Sequence, residues 1–163
     1  MQREIVRLAK ELAPDLVIIG KQEEAYWWRW LWRISPRNIA RRAGCPVLTV
    51  KSGSVNERLK IIVIPISEAL AERKLEWGIM LARKYKAQIH LLALQEGMAE
   101  GQAPGAFLRA HHYLRENLRL PIKICTSRQQ NPAKAALDYA KKVKADLILV
   151  NPETESWVGG LRW

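Results

Sequence analysis

The segment AKELAPDLVIIG at residues 9–20 recurs near the other end of the chain, without a gap, as AKKVKADLILVN at residues 140–151. The second copy begins 131 residues after the first. That spacing is the size of a globular domain and far exceeds the period of about 20 to 50 residues found in repeat arrays. Since 163 residues cannot hold two whole copies, the sequence predicts the end of one domain followed by most of a second.

Each copy joins a helical pattern to a short apolar run. Before Pro14, which cannot continue a helix because it lacks an N–H group, four apolar residues recur at helical spacing: Ile5, Leu8, Ala9 and Leu12. The run at 16–19 is typical of a strand buried on both faces of a parallel sheet. Further along, residues 36–42 are predicted to be helical, Gly44 to end that helix, and residues 46–50 to form a second strand.

Residues 51–57 are polar and turn-rich, which predicts the boundary between the two repeats there. Beyond it, strand and helix patterns alternate. The predicted strands are 60–64, 88–94, 122–125 and 146–150, and the predicted helices are 68–86, 106–117 and 132–143. Alternation of this kind specifies parallel β-α-β units with right-handed crossovers. The predicted fold class is therefore α/β, an open parallel sheet with flanking helices of the Rossmann-like type.

The predicted helix at 68–86 illustrates how the sequence specifies packing. Ser67 is expected to cap its N-terminus. The face expected to cover the sheet contains Leu70, Leu75, Ile79, Ala82 and Tyr85, and the opposite face contains Arg73, Lys74, Arg83 and Lys84. Asn131 is expected to cap the helix at 132–143, with Pro132 at its first position.

The composition excludes several classes of protein. The chain is 48% hydrophobic yet has no apolar run near the roughly 20 residues of a membrane span and no signal peptide, so we predict a cytoplasmic protein. The net charge of +11 is spread along the chain without a basic block, which argues against a specific nucleic-acid partner. Cys45 and Cys125 are too few for a disulfide framework or a metal site, and we expect reduced thiols and no bound metal.

Three local sequences together resemble one family. KIIVIPIS at 60–67 is similar to the first strand of universal stress proteins, 15–20 to their fourth strand, and IARRAGCPVLTV at 39–50 to their last helix and final strand. The resemblance implies an adenine nucleotide alpha hydrolase-like sheet. It also implies that residues 1–51 are the C-terminal part of one such domain, and residues 57–163 the N-terminal and central part of a second. Many bacterial members of the family carry two domains in tandem.

Two hypotheses follow from the partial repeats. In the first, these residues belong to a longer tandem protein. In the second, the N-terminal segment docks beside the first strand of the second domain, as in a circular permutant. Residues 16–19 and 147–150 then compete for one position in the sheet.

The resemblance also raises the question of ATP. ATP-binding members carry Gly-x-x-Gly, nine residues and Gly-Ser after the fourth strand, where glycines let backbone N–H groups approach phosphates. Here Gly20 is followed by Glu23 in place of the second glycine and by Arg33 and Ile34 in place of Gly-Ser. A carboxylate repels phosphate, and side chains obstruct the loop.

The second repeat departs further from the ATP pattern. Asn151 replaces the first glycine, and Ser67 stands where the family has an aspartate after the first strand. We therefore predict a degenerate nucleotide cleft and no cofactor, with ATP binding as the alternative because Gly159 and Gly160 offer a shifted phosphate loop. The candidate cleft residues are Gly20, Pro65, Ser67, Gly159 and Gly160.

The sequence YWWRWLWR at 26–33 concentrates four of the seven tryptophans. Three interpretations are open: core packing that fills the emptied cleft, a protein interface, and binding to a membrane surface. For an interface, either between domains or in a homodimer, the candidate residues are Trp27, Trp28, Trp30, Trp32, Val47, Leu48 and Val50.

No catalytic constellation is evident. His111 and His112 are adjacent and point in different directions on a helix, and Ser127 and Cys125 have no histidine and acid at a recognisable spacing. Asp15 and Asp146 precede strands and are expected to cap or turn. The predicted function is a non-enzymatic, universal stress protein-like regulator that acts by self-association and through an unidentified protein partner. The alternatives are an ATP-binding member with slow hydrolysis or ATP-gated switching, and a cytoplasmic regulatory domain of a transporter.

Overall fold

A computed structural model describes residues 2–21, 35–51, 58–67, 70–94 and 105–152. The chain divides into two compact units, Met1–Val55 and Asn56–Trp163. Within the described residues, no helix is sufficiently long and apolar to span a membrane.

The first unit contains helix α1 (Gln2–Leu12), strand β1 (Val17–Lys21), helix α2 (Pro36–Ala43) and strand β2 (Val47–Lys51). The two strands pair in parallel. Ser35 caps α2, because its side chain accepts a hydrogen bond from the Asn38 backbone N–H. Gly44 ends α2 as predicted. Its φ of 72° lies in the left-handed region that favours glycine, and its N–H donates to the Ala40 carbonyl.

Burial in this unit differs from the prediction. The residues of α1 that are buried are Val6 and Ala9, whereas Leu12 is 75% exposed. The run at 16–19 is not buried on both faces, since Ile18 is 63% exposed. Successive side chains of a strand point to opposite faces, and the described part of this unit leaves the Ile18 face of its two-stranded sheet largely uncovered.

The second unit alternates strands and helices throughout. Its elements are β3 (Ile61–Ile66), α3 (Glu72–Tyr85), β4 (Gln88–Leu94), α4 (Gly105–Asn117), β5 (Ile122–Ser127), α5 (Pro132–Lys142) and β6 (Leu147–Ile148). The four strands are all parallel, in the order β5-β4-β3-β6. The predicted α/β fold with an open parallel sheet and flanking helices is confirmed. Of the two copies of the repeated segment, the second lies beside β3, and the first pairs with β2.

Helices on both faces bury the central strand β3. Ile62, Ile64 and Ile66 pack in a core with α3 and α4, and Val63 packs on the other face with α5. All four side chains have no exposed surface. This accounts for the continuous apolar sequence of β3, since a parallel strand covered on both faces has no side that favours polar residues.

Helix α3 corrects three predictions. It begins at Glu72 rather than at 68, with Ala71 as an extended N-cap that offers no side-chain hydrogen bond, so Ser67 does not cap it. Leu70 and Ala71 instead pack into the protein. Lys74, predicted on the outer face, is buried, and Tyr85, predicted on the inner face, is 47% exposed.

Gly78 explains this rotation of α3. A Cβ atom added at Gly78 would lie 2.7 Å from Cδ1 of Ile64, which is closer than real Cβ contacts. Gly78 therefore lets α3 pack close to β3, and the buried side chains flank that point. They are Lys74, Leu75, Ile79 and Ala82.

Two polar side chains accept hydrogen bonds from backbone N–H groups at the ends of elements. Asn131 caps α5 as predicted, and its Oδ1 accepts a hydrogen bond of 3.0 Å from the Lys134 N–H. The sequence predicts that Asp146 caps or turns, but in the structure it bonds to the neighbouring strand. Asp146, just before β6, accepts hydrogen bonds through Oδ2 from the backbone N–H groups of Lys60 (2.8 Å) and Ile61 (2.9 Å). Strand β6 is shorter than the predicted run at 146–150, so this carboxylate supplies hydrogen bonds that hold β3 and β6 together at their amino ends.

We expect Asp146→Ala to destabilise the second unit by about 1 to 2 kcal/mol, because two backbone donors lose a charged acceptor. Urea unfolding followed by circular dichroism measures the change. Asp138→Ala is the matched control. It removes an exposed carboxylate of the same unit, and we expect it to change stability by less than about 0.5 kcal/mol. Equal effects of the two substitutions would contradict a special role for Asp146.

Candidate functional site at the carboxyl end of the sheet

In the sheet of the second unit, successive strands are added first on one side of β3 and then on the other. From β3 the chain proceeds through α3 to β4 on one side, whereas β6, reached through α5, lies on the other side. In open parallel sheets, ligands bind outside the carboxyl ends of the strands at such a switch point. The candidate site is therefore the crevice where the carboxyl ends of β3 and β6 meet.

The hydrogen bonds along β3 show where this crevice begins. On the side facing β6, the carbonyl of Ile61 accepts from the Asp146 N–H and that of Val63 from the Leu149 N–H, each at 3.0 Å. The next carbonyl on that side, two residues further along, belongs to Pro65. Its oxygen accepts a hydrogen bond from Nζ of Lys74 at 2.7 Å. Where the crevice begins, the hydrogen-bond partner of the β3 backbone is thus the Lys74 ammonium instead of a neighbouring strand.

Lys74 lies in the first turn of α3 and its side chain is only 5% exposed. A buried cation is costly unless it is hydrogen-bonded, and a bond between an ammonium and a carbonyl is stronger than one between neutral groups. This hydrogen bond places the Lys74 ammonium at the carboxyl end of β3 and holds it against the backbone.

The structure brings together two of the predicted cleft residues. Pro65 is fully buried in β3, and Ser67 follows directly after this strand, so both lie at the crevice with Lys74. Gly20 belongs to the first unit, where it is a residue of β1 paired with Val50. A Cβ atom at Gly20 would have no atom within 4 Å, so the described backbone does not require glycine there.

Other predicted residues lie outside the described part of the chain. These are Glu23, Arg33, Ile34, Gly159 and Gly160 of the nucleotide motif, and Trp27, Trp28, Trp30 and Trp32 of the aromatic cluster. The remaining interface candidates, Val47, Leu48 and Val50, are half-buried residues of β2. Within the described ranges, no three His, Cys, Asp or Glu side chains come together in a way that could hold a metal ion.

A second polar cluster lies where α5 packs on β4 and β5. The Sγ atom of Cys125 is 2.6 Å from the hydroxyl oxygen of Tyr139, and this oxygen is 3.0 Å from Nδ1 of His90. On the other side of the imidazole ring, Nε2 of His90 lies 2.9 Å from Oε1 of Gln88. Since an amide oxygen only accepts, Nε2 carries the proton and Nδ1 accepts from the Tyr139 hydroxyl.

The environment shifts both titrating partners of this cluster toward their neutral forms. Burial, and secondarily the positive charge of Lys123, lowers the pKa of His90 below its ordinary value of 6.5. Burial, together with the hydrogen bond and charge of Cys125, raises the pKa of Tyr139 well above its ordinary value of 10. His90 and Tyr139 are therefore neutral at physiological pH.

Sequence reasoning missed Lys74, His90 and Tyr139. Lys74 has the spacing of an outward-facing residue, yet in the structure it is buried and bonded to the Pro65 carbonyl. For His90 a signal was present, because a single histidine interrupts the apolar strand QIHLLAL at 88–94. The cluster members Cys125 and Tyr139 lie 35 and 49 residues further along the chain, so no local spacing reveals the cluster.

Comparisons with known proteins support the fold. No family model matches the chain, and no curated protein matches it. Among solved structures, the chain is similar to a universal stress protein from Archaeoglobus fulgidus DSM 4304, with a TM-score of 0.64 and 17% sequence identity. The similarity covers 96% of this chain but 60% of that protein, so this chain spans less than two thirds of its length. The two proteins share a Rossmann-like α/β fold.

The pKa of His90 predicts how the stability of the second unit depends on pH. The unfolded chain, with an ordinary histidine pKa, binds a proton more readily than the folded one. The stabilisation is therefore fully present above about pH 6.5 and is lost as the pH falls through that value toward the lower folded pKa. We expect the urea midpoint to fall between about pH 7.5 and about pH 5, and His90→Gln to reduce this fall. A pH dependence that stays unchanged in His90→Gln would contradict this role of His90.

Proposed function

We propose that this protein is a regulatory, stress-response protein of the universal stress type that acts by self-association and partner binding, without ATP as a cofactor. One observation carries the proposal. At the switch-point crevice, Lys74 is buried and donates a hydrogen bond to the carbonyl of Pro65. Its ammonium group is thus bonded to the backbone of the protein at the position where a nucleotide-binding relative would bind its ligand.

The other residues of the crevice agree with this proposal. Ser67 stands in place of an aspartate and offers a hydroxyl, which binds a sugar less strongly than a carboxylate does. In the first unit, Gly20 is an extended strand residue, and the next two glycine positions of the motif are Glu23 and Arg33. Neither a carboxylate nor a bulky side chain suits a loop that wraps phosphate.

Surface features of the second unit favour partner binding. A depression of about 600 Å³ lies between α3 and α4. Its lining combines apolar side chains, including Met80, which is 47% exposed, and Tyr113, with the cations Arg83 and Lys84. Exposed methionine, aromatic and arginine side chains are typical of protein interfaces. We infer that a protein partner binds through this depression.

The sheet of the first unit favours self-association. Ile18 is opposite Leu48, and Gly20 is opposite Val50, so Ile18, Leu48 and Val50 lie on one face of the β1–β2 pair. Ile18 is 63% exposed, and its two neighbours are half-buried. A contiguous apolar face of this kind is unfavourable in water, and a second copy of the chain would cover it.

The alternative function, ATP binding with slow hydrolysis or ATP-gated switching, is favoured by one observation. Lys74 places a positive charge at the switch point, where phosphate would bind in a nucleotide-binding relative. A rearrangement that released its ammonium from Pro65 would offer this charge to a phosphate.

Isothermal titration with ATP and magnesium distinguishes the two functions. We expect no binding at submillimolar concentrations, because the crevice offers an engaged lysine and no phosphate loop. Lys74→Met provides the second measurement. A micromolar dissociation constant in the wild type that is lost in Lys74→Met, with the fold intact by circular dichroism, would establish the alternative.

Light scattering coupled to size exclusion tests self-association. We expect the wild-type chain to elute with the mass of a dimer or larger oligomer, and Ile18→Lys to shift it toward the monomer, because a charge on the apolar face is costly to bury. Leu108→Lys is the matched control. Leu108 is also exposed, at 58%, but lies on α4 of the second unit. A wild-type monomer, or equal effects of both substitutions, would contradict association through β1 and β2.

A further inference from the structure

The cluster around Cys125 has the components of an activated nucleophile. A thiol contacts a hydroxyl, the hydroxyl contacts an imidazole nitrogen, and the other nitrogen of that ring is fixed by an amide oxygen. A nucleophile within hydrogen-bond reach of a base that a third group orients is the general arrangement for nucleophilic chemistry. We propose that Cys125 is an oxidation site for hydroperoxides, with Tyr139 and His90 accepting the thiol proton.

The hydrogen bonds run in one direction through the cluster. Because Nε2 of His90 donates to Gln88, its Nδ1 is the acceptor, and the Tyr139 hydroxyl donates to it over 3.0 Å. The Tyr139 oxygen then accepts from the Cys125 thiol, 2.6 Å away. The thiol proton can pass to Tyr139 while Tyr139 passes its own proton to His90. Two short transfers leave a thiolate hydrogen-bonded to a neutral tyrosine.

The position of Cys125 favours reaction at this sulfur. Cys125 is partly exposed on β5, which is at the end of the described four-stranded sheet. His90 is almost fully buried. We expect a small peroxide to reach the sulfur while the base stays enclosed.

The reaction is a two-electron oxidation with a complete balance. The sulfur attacks one oxygen of the peroxide, the S–O bond forms, and the O–O bond breaks. The thiol proton moves through Tyr139 to His90 and returns by the same path to the departing oxygen. With hydrogen peroxide the products are the sulfenic acid of Cys125 and water.

Cys45 provides an internal reference in the same molecule. It is also a free, partly exposed thiol. In the part of the chain that the structure describes, its sulfur forms no hydrogen bond corresponding to those at Cys125. Both cysteines meet the same oxidant in the same sample, and Cys125 has the additional tyrosine and histidine. Cys45 therefore serves as the reference for the reaction rate of Cys125.

The experiment exposes the whole chain to dilute hydrogen peroxide with a 1,3-dione that traps sulfenic acids, and mass spectrometry gives the labelling rate of each cysteine. We expect Cys125 to react at least about tenfold faster than Cys45, a conservative share of the roughly hundredfold or more that a positioned general base supplies. Tyr139→Phe, which retains the ring and removes the hydroxyl, should bring the ratio of the two rates close to one. Tyr85→Phe, at an exposed tyrosine of the same unit, should leave it unchanged.

His90 acts through Tyr139 and is a positioning residue, so its test uses the pH profile of the same ratio. In the wild type the ratio should decline toward acid pH, as His90 gains a proton and ceases to accept. In His90→Gln it should be lower and independent of pH. The proposal is overturned if Cys125 reacts no faster than Cys45. It is also overturned if Tyr139→Phe and His90→Gln, both folded by circular dichroism, retain the wild-type ratio and pH profile.

Discussion

The second unit depends on satisfying the backbone of β3 while this strand is buried on both faces. A buried carbonyl or N–H without a partner costs free energy comparable to a lost hydrogen bond. On one side, β4 supplies partners along the whole strand. On the other side β6 contributes a pairing of only two residues, and side chains complete the set. Asp146 accepts from the first N–H groups, and Lys74 donates to the carbonyl of Pro65. Both charged side chains thus supply hydrogen bonds to β3 beyond those that the short strand β6 provides.

The sequence was sufficient to predict features that depend on local rules. The alternation of strands and helices and the caps at Asn131 and Gly44 follow from patterns within a few residues of each other. Burial in the first unit was not predictable in this way, because an apolar run such as 16–19 indicates a strand but not how many neighbours cover it. The exposed side chain of Ile18 is the result.

The candidate site was harder to predict than the fold, for a related reason. Pro65 and Ser67 were accessible to prediction because they follow a recognisable strand. Lys74 was assigned to the wrong face, since helical periodicity gives the spacing of a stripe but not its rotation about the axis. In the structure, Gly78 packs against Ile64, and Lys74, one turn earlier on the same side, is buried. Similarly, the contacts of Tyr139 with His90 and Cys125 require the packing of α5 on the sheet.

The two contacts that orient α3 have a mechanical consequence. Lys74 and Gly78 are four residues apart, so they lie one above the other on the same side of the helix. The first is tied to the backbone of Pro65 and the second rests against Ile64, its neighbour in the same strand. A hydrogen bond at one point of this line and a close packing contact at the other thus orient α3 on β3. Any change of shape at the crevice that moves α3 along or about its axis has to break the Lys74 hydrogen bond or open the contact at Gly78.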